Sequence, residues 1–272
     1  MTEKTQVHPP ASEALKPGDS YVQSFARGLS VIRAFSAEAP RQTLSEVAKR
    51  CELTRAGARR ILLTLETLGY VACDGRQFSL TPKILDLGFA YLSAQPLWQF
   101  AEPVMQALAS ELGESVSAAV LEGSDIVYVL RMPNRKIMSV NLGVGSRLPA
   151  WCTSMGRVLL ADLDAEALTA QLAQLDAQRL PRHTMRTVAS TAELSQRIAQ
   201  VREQGWCLVN QELEEGLVSL AAPIKDRGGR TLAALNIGAQ VNRTPPEAML
   251  ETCLPKLLDA ARQISRLVQI KG

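Results

Sequence analysis

Only two residues, Glu52 and Leu53, separate a segment that reads as helix up to Cys51 from one that starts afresh at Thr54. So short a connection forces the two helices to meet at a sharp angle, as in a helix-turn-helix. The flanking residues agree. Thr43, with Glu46 three residues later, makes a capping box that opens the earlier helix, and Thr54 is a good N-cap for the later one. Along that later helix Ala58, Ile61, Leu62, Leu65 and Leu68 recur at helical spacing and define one core-facing stripe. The other face carries Arg55, Arg59 and Arg60 near its N-terminal end, where a recognition helix meets base edges and phosphates. Gly69 ends the helix as a left-handed cap. Asp74-Gly75 then reads as a hairpin turn between Tyr70-Val71-Ala72 and Phe78-Ser79-Leu80, with Arg76 just past the tip. That hairpin is a wing. A helix over about Ser24 to Ser36, burying Phe25, Leu29, Ile32 and Phe35, is expected to support the pair. The alternative is a three-helix packing module with a solvated basic face, but turn, caps, arginines and wing agree independently on DNA binding. The candidate contacts are Ser45, Thr54, Arg55, Ala56, Arg59, Arg60 and Arg76.

Charge follows the same division. The net charge is +3; residues 1–94 hold 12 Lys and Arg against 9 Asp and Glu, and residues 95–272 hold 18 of each. The excess positive charge therefore lies with the winged helix, as a phosphate backbone requires. At 272 residues, with 46% hydrophobic and 21% charged, the chain suits two globular domains. It contains no apolar run of about eighteen residues and no apolar signal core at its start, so no membrane partner is expected. Five scattered cysteines fit reduced thiols, and the expected location is cytoplasmic.

Four regions follow. Residues 1–20 read as a disordered tail, 21–80 as the winged helix and 81–95 as a linker helix opened by Thr81-Pro82. Residues 96–272 form the remaining domain. The linker, KILDLGFAYLSA, is apolar on so many sides that pairing with its copy in a second subunit is the preferred reading. The last region begins with a helix from Leu97 to Gly113 containing Pro103. A hairpin around Gly123-Ser124-Asp125 comes next, then a third strand over Ile137 to Leu142. Helices are expected from Thr153 to Leu163, after Asp164, and from the capping box Ser190/Glu193 to Gly205. Two more strands, LVSLAAPIKD and RTLAALNIGA, precede a terminal helix opened by Thr244-Pro245-Pro246-Glu247, itself read as a capping box. The fold class is α+β.

Catalysis fails on inventory. The two histidines are His8, in the tail, and His183, in a loop, and no GxSxG, GxxxxGK[ST] or GxGxxG occurs. Gly143-Val144-Gly145 reads as a mobile turn. Cys152 beside Trp151 and near Arg157 is better taken as a packed small residue than as a reactive thiol. No enzyme activity, cofactor or metal is expected. A DNA-binding module joined to a larger domain without catalytic groups suggests a sensor. Ser219 and Asn236 stand among apolar strand neighbours and need partners, either backbone or a ligand. The segment Arg147 to Arg157 joins an aromatic wall, hydroxyls and a helix start that suits a carboxylate, with Arg147 or Arg157 adding charge.

The winged helix, the linker helix, PAWCTSMGRVLLA and GWCLVNQELEEGLVSLAAPI, in this order, resemble the IclR family of bacterial transcriptional regulators from about Tyr21 onward. YVQSFARGLSVIRAFS and LTRAGARRILLTLETLGYV are most similar to its PcaR, PcaU and PobR subgroup, regulators of β-ketoadipate-pathway genes for aromatic-acid breakdown. The resemblance implies a GAF-like mixed α/β effector domain, a homodimer or dimer of dimers, operator DNA, and a small organic acid as effector, with RNA polymerase a further candidate partner. It carries effector positions onto Ser154, Met155, Val209, Leu217, Ser219, Asn236 and Gly238, and the reading of the Arg147–Arg157 segment adds Trp151 and Gly156. Val209 stands where many members have an aspartate, which favours a larger, partly apolar ligand such as an aromatic or six-carbon diacid. Two other readings are a regulator of another carboxylic-acid pathway and a DNA-binding protein whose C-terminal domain only oligomerises.

Overall fold

The computed structural model of the chain describes residues 21–94, 96–133, 142–178 and 180–271. The expected tail, residues 1–20, lies outside them, as does all but the last residue of the strand expected over Ile137 to Leu142. The chain divides into two compact units, 1–94 and 95–272.

In the first unit α1 (Gln23–Arg33) precedes a short strand β1 (Arg41–Thr43), α2 (Leu44–Arg50) and α3 (Arg55–Thr67). Both halves of the capping box form: the Thr43 side chain accepts from Glu46 N, and the Glu46 carboxylate accepts from Thr43 N at 2.7 Å. Thr54 caps α3 by accepting from Gly57 N at 3.1 Å. The helix ends in a six-to-one closure, Tyr70 N to Leu65 O at 2.8 Å, with Gly69 at φ +81. The wing is β2 (Val71–Asp74) and β3 (Gln77–Leu80), with Asp74 opposite Gln77 across a two-residue turn. β1 adds a third strand against β3, which the sequence analysis did not anticipate.

The core of this unit contains Val31, Phe35, Val47, Leu62, Leu65, Val71 and Phe78. Two expectations need correcting. Phe25 (67% exposed) and Leu29 (43%) lie on the open side of α1, because Val31 and Phe35 are the residues that reach α2 and α3. Leu68 sits at the C-cap, past the last turn of the buried stripe, and is exposed. A 3-10 turn (Pro82–Ile84), capped by Thr81, leads into α4 (Leu85–Ser93), none of whose residues is buried within the unit.

The second unit is built on a six-stranded antiparallel sheet in the order β6-β5-β4-β9-β8-β7. After α5 (Pro96–Leu112) come β4 (Ser115–Glu122), β5 (Asp125–Met132) and β6 (Arg147–Pro149). Gly143-Val144-Gly145 is a turn stitched to β5, with Gly145 N donating to Tyr128 O and Tyr128 N to Ser146 O. Helices α6 (Ser154–Ala161), α7 (Ala165–Gln178) and α8 (Thr191–Gln204) follow, then β7 (Cys207–Asn210), β8 (Leu217–Lys225) and β9 (Thr231–Gln240). The short β6 and β7 are additions to the expected strands. Strand alternation gives the sheet two different faces. Val116, Ala118, Leu220, Ala222, Leu235 and Ile237 are fully buried on one, and the other meets α6.

The chain ends as α9 (Pro246–Ala248), a π turn over Met249–Cys253, and α10 (Leu254–Lys271). Thr244 makes no cap here. Its hydroxyl donates to Glu114 Oε1 at 2.9 Å, and Arg243 closes a two-pronged ion pair on the same carboxylate. A buried carboxylate outcompetes a helix end for that donor because a charged acceptor makes the stronger bond.

Candidate functional site

On the first unit, Arg55, Ala56, Arg59 and Arg60 are all exposed on α3. Arg55 and Arg59, one helical turn apart, share a face with Ala56, and Arg60 flanks it. Ser45 is exposed on α2, and Arg76 is exposed at the wing turn. Among the described residues no carboxylate pairs with any of these four arginines, so their charge is available to phosphate or base edges. Thr54 spends its oxygen lone pair on the helix cap, and its O–H remains a donor.

The second unit encloses a cavity of about 40 Å³ between α6 and the sheet. Register explains its lining. Residues directly opposite one another in antiparallel strands share a face. The pairs Ser117–Arg131, Ser117–Asn236 and Asn236–Ala221 therefore make one row across β5, β4, β9 and β8, and Ser115–Gly238–Ser219–Val209 make the next. Helix α6 closes the cavity from above. Its N-cap Thr153 accepts from Gly156 N at 3.2 Å, and Ser154 and Met155 point onto the sheet. Ser154 Oγ donates to Ser219 Oγ at 2.9 Å, tying helix to strand across the cavity.

Among the described residues Arg131 and Glu212 are the charged groups in the lining. Among the described residues Arg131 donates to Ser117 Oγ, at 3.4 Å, and no carboxylate pairs with it. Tyr128, nearby, has its phenol pushed up to about 12, chiefly by burial and partly offset by Arg131, so it stays protonated at neutral pH and can donate a hydrogen bond. Glu212 is already committed. Its two oxygens accept from Arg157 Nη1 at 2.8 Å and Nη2 at 2.5 Å, and Arg157 Nε donates to Trp151 O at 3.0 Å.

Seven of the nine expected effector residues line this cavity: Ser154, Met155, Val209, Leu217, Ser219, Asn236 and Gly238. Trp151 and Gly156 do not. The Trp151 ring is buried against His183, centroids 5.7 Å apart, and its carbonyl rather than its face serves the site. Gly156 is there for a different reason: a Cβ on it would lie 2.0 Å from Ala150 O, so glycine is what lets α6 pack on the preceding turn. Neither arginine expected to meet an acid is free. Arg147 forms surface ion pairs with Glu122 and Asp125, and Arg157 is the buried partner of Glu212. Polar lining residues that the sequence reading did not name include Ser115, Ser117, Tyr128 and Arg131, although the alternation of Ser115 and Ser117 inside an apolar run was a visible signal. Cys152 also lines the cavity, its thiol pushed up to about 12 chiefly by burial, so it is not a nucleophile at neutral pH.

A buried pair that loses one partner leaves an uncompensated charge, which costs about 3–5 kcal/mol. Glu212→Ala should therefore lower the stability of the second unit by about that much in urea unfolding. The double variant Arg157→Met/Glu212→Leu should regain most of it. A double variant no more stable than Glu212→Ala would mean the pair is irreplaceable.

Comparison with known proteins gives a consistent set of matches. The profile of the IclR helix-turn-helix domain covers residues 24–75, and that of the C-terminal domain of bacterial transcriptional regulator IclR covers 89–266. The Pca regulon regulatory protein of Pseudomonas putida is 44% identical over 253 residues, 93% of this chain and 86% of that protein. The p-hydroxybenzoate hydroxylase transcriptional activator of Acinetobacter baylyi is 33% identical over 266 residues, 96% of this chain and 97% of that one. Among solved structures, a transcriptional regulator from Rhodococcus sp. RHA1 superposes with a TM-score of 0.83 at 47% identity, over 91% of this chain and 98% of that one.

Proposed function

The chain belongs to the IclR family of bacterial transcriptional regulators, and on that premise we propose that it controls aromatic-acid breakdown genes by sensing a small organic acid in the α6 cavity. The observation that carries this reading is Arg131, the one charged group lining the cavity that has no carboxylate partner among the described residues. A cation held in an apolar setting is stabilised by an anionic ligand. The names of the relatives point to aromatic acids and their breakdown. A ring or methylene chain fits against Met155, Val209 and Leu217. The hydroxyls of Ser154 and Ser219 and the Asn236 amide serve its far polar end.

Cavity size suggests how binding becomes a signal. About 40 Å³ is room for only a few water molecules at roughly 10–15 Å³ each. An acid of six or more carbons must move the walls apart. Ligand and empty protein then differ in conformation, and the ligand shifts the balance between them, typically by 1–3 kcal/mol.

The working form is a homodimer. Large apolar residues left exposed on the first unit, Val22 at the N-cap of α1, Phe25 and Leu29 on α1, and Leu85, Leu87, Phe89 and Tyr91 on α4, are what a second copy would cover. A two-fold dimer sets its recognition helices about one turn of DNA apart, or a multiple of it. Light scattering of the operator complex should show at least two chains per site. The pair Arg55→Ala/Arg59→Ala should cost roughly 1–3 kcal/mol per base contact in operator affinity. One chain per operator, or an unchanged affinity, would contradict the assignment.

Calorimetry with 4-hydroxybenzoate and β-ketoadipate tests the effector site. Arg131→Ala should weaken the acid that binds by about ten- to a hundredfold, the worth of a charged hydrogen bond of about 1.5–3 kcal/mol. Ser219→Ala and Asn236→Ala should each cost about 1 kcal/mol. Equal affinity in all four proteins would remove the cavity from consideration.

A further inference from the structure

Beyond the cavity, on the outer side of edge strand β7, lies a separate groove of about 410 Å³. It runs between β7 and α8, and its walls hold three guanidinium groups, Arg157, Arg186 and Arg197, against one carboxylate, Glu212. Glu212 is fully engaged by Arg157. Arg197 is tied only loosely, to Glu193 at 3.5 Å on the helix surface. Arg186 has no carboxylate partner among the described residues. Trp206, Val201 and Leu208 supply an apolar side. One guanidinium without a carboxylate partner among the described residues and one only loosely paired, in a groove of ligand size that an indole also lines, are suited to a flat body carrying an anion.

We propose that this groove is a second acid-binding site, for a small aromatic carboxylate, and that its occupant antagonises binding in the inner cavity. The link between the two is Glu212, which lines both. In the present arrangement Arg157 neutralises it. A carboxylate in the outer groove approaches the same guanidinium from the other side and draws it away from Glu212. The Glu212 charge is then less compensated on the cavity side and repels an acid bound near Arg131. Coupling of this kind is reciprocal: acid in the cavity weakens the outer site by the same factor. The coupling rests on the effector reading above, whereas the outer site stands without it.

Benzoate is the probe, titrated into the full-length chain at fixed ionic strength because exposed arginines are screened by salt. Calorimetry is run on the wild type, on Arg131→Ala and on Arg186→Ala/Arg197→Ala, with emission from Trp206 read against Trp206→Phe. The expected result is a binding event that perturbs Trp206, persists in Arg131→Ala, and weakens at least tenfold in Arg186→Ala/Arg197→Ala. Where both events occur, the weaker of the two should tighten when the other site is removed. No event sensitive to the Arg186/Arg197 pair overturns the outer site and leaves the inner reading untouched. If an event insensitive to Arg131→Ala but lost with the outer pair is the sole event, with no second one weakened by Arg131→Ala, the outer site is sustained and the coupling to a benzoate-binding inner cavity is overturned. Affinities that are the same with and without the other site overturn the coupling.

Discussion

The buried ion pair between Arg157 and Glu212 fixes the sensor unit. Arg157 projects from the first turn of α6, and Glu212 lies just beyond β7, so the pair locks the cavity's roof to the far edge of the sheet. Arg157 also holds the Trp151 carbonyl, which positions the turn in front of α6. On the other side, Thr187 donates to Glu212 O at 2.7 Å and Thr184 donates to Gln211 O at 2.6 Å, which brings the 184–188 loop into the same network. Such pairs gain little net stability over a well-packed apolar replacement. What this one supplies is position: with Gly156 packed against Ala150, it leaves α6 a single seat over the sheet.

That arrangement divides the charge in the cavity. One carboxylate is neutralised at the β7 end, and one guanidinium at the β5 end has no carboxylate partner among the described residues. The proposed acid effector would supply the missing negative charge. The same wall separates the inner space from the outer groove, so the pair is placed to sense charge on both of its sides.

Local chemistry was readable in the sequence wherever one residue decides it. The Thr43–Glu46 box, the Thr54 cap, the left-handed Gly69 and the wing turn each depend on neighbours within a few positions. Where competition between distant groups decides, sequence reading failed. Thr244 abandons its cap for Glu114, 130 residues earlier, and Arg157 is claimed by Glu212, 55 residues later. Phe25 and Leu29 have helical spacing yet lie on the wrong side of α1, because periodicity gives a face but not what covers it. Ser219 and Asn236 were visible as polar residues among apolar strand neighbours, and Gly238 through family resemblance. Arg131 was not, since its place beside Ser117 follows from strand register. Trp151 drew attention as a large aromatic, and its ring is spent on His183.

The central claim is that an acid effector is held by Arg131 beneath α6. The most direct measurement is a crystal structure of the protein with the acid that calorimetry selects. The account predicts ligand density between Met155 and the β4–β9–β8 face, with a carboxylate oxygen within hydrogen-bond distance of the Arg131 guanidinium. Density elsewhere in the chain, or in this cavity with its carboxylate turned away from Arg131, would contradict it.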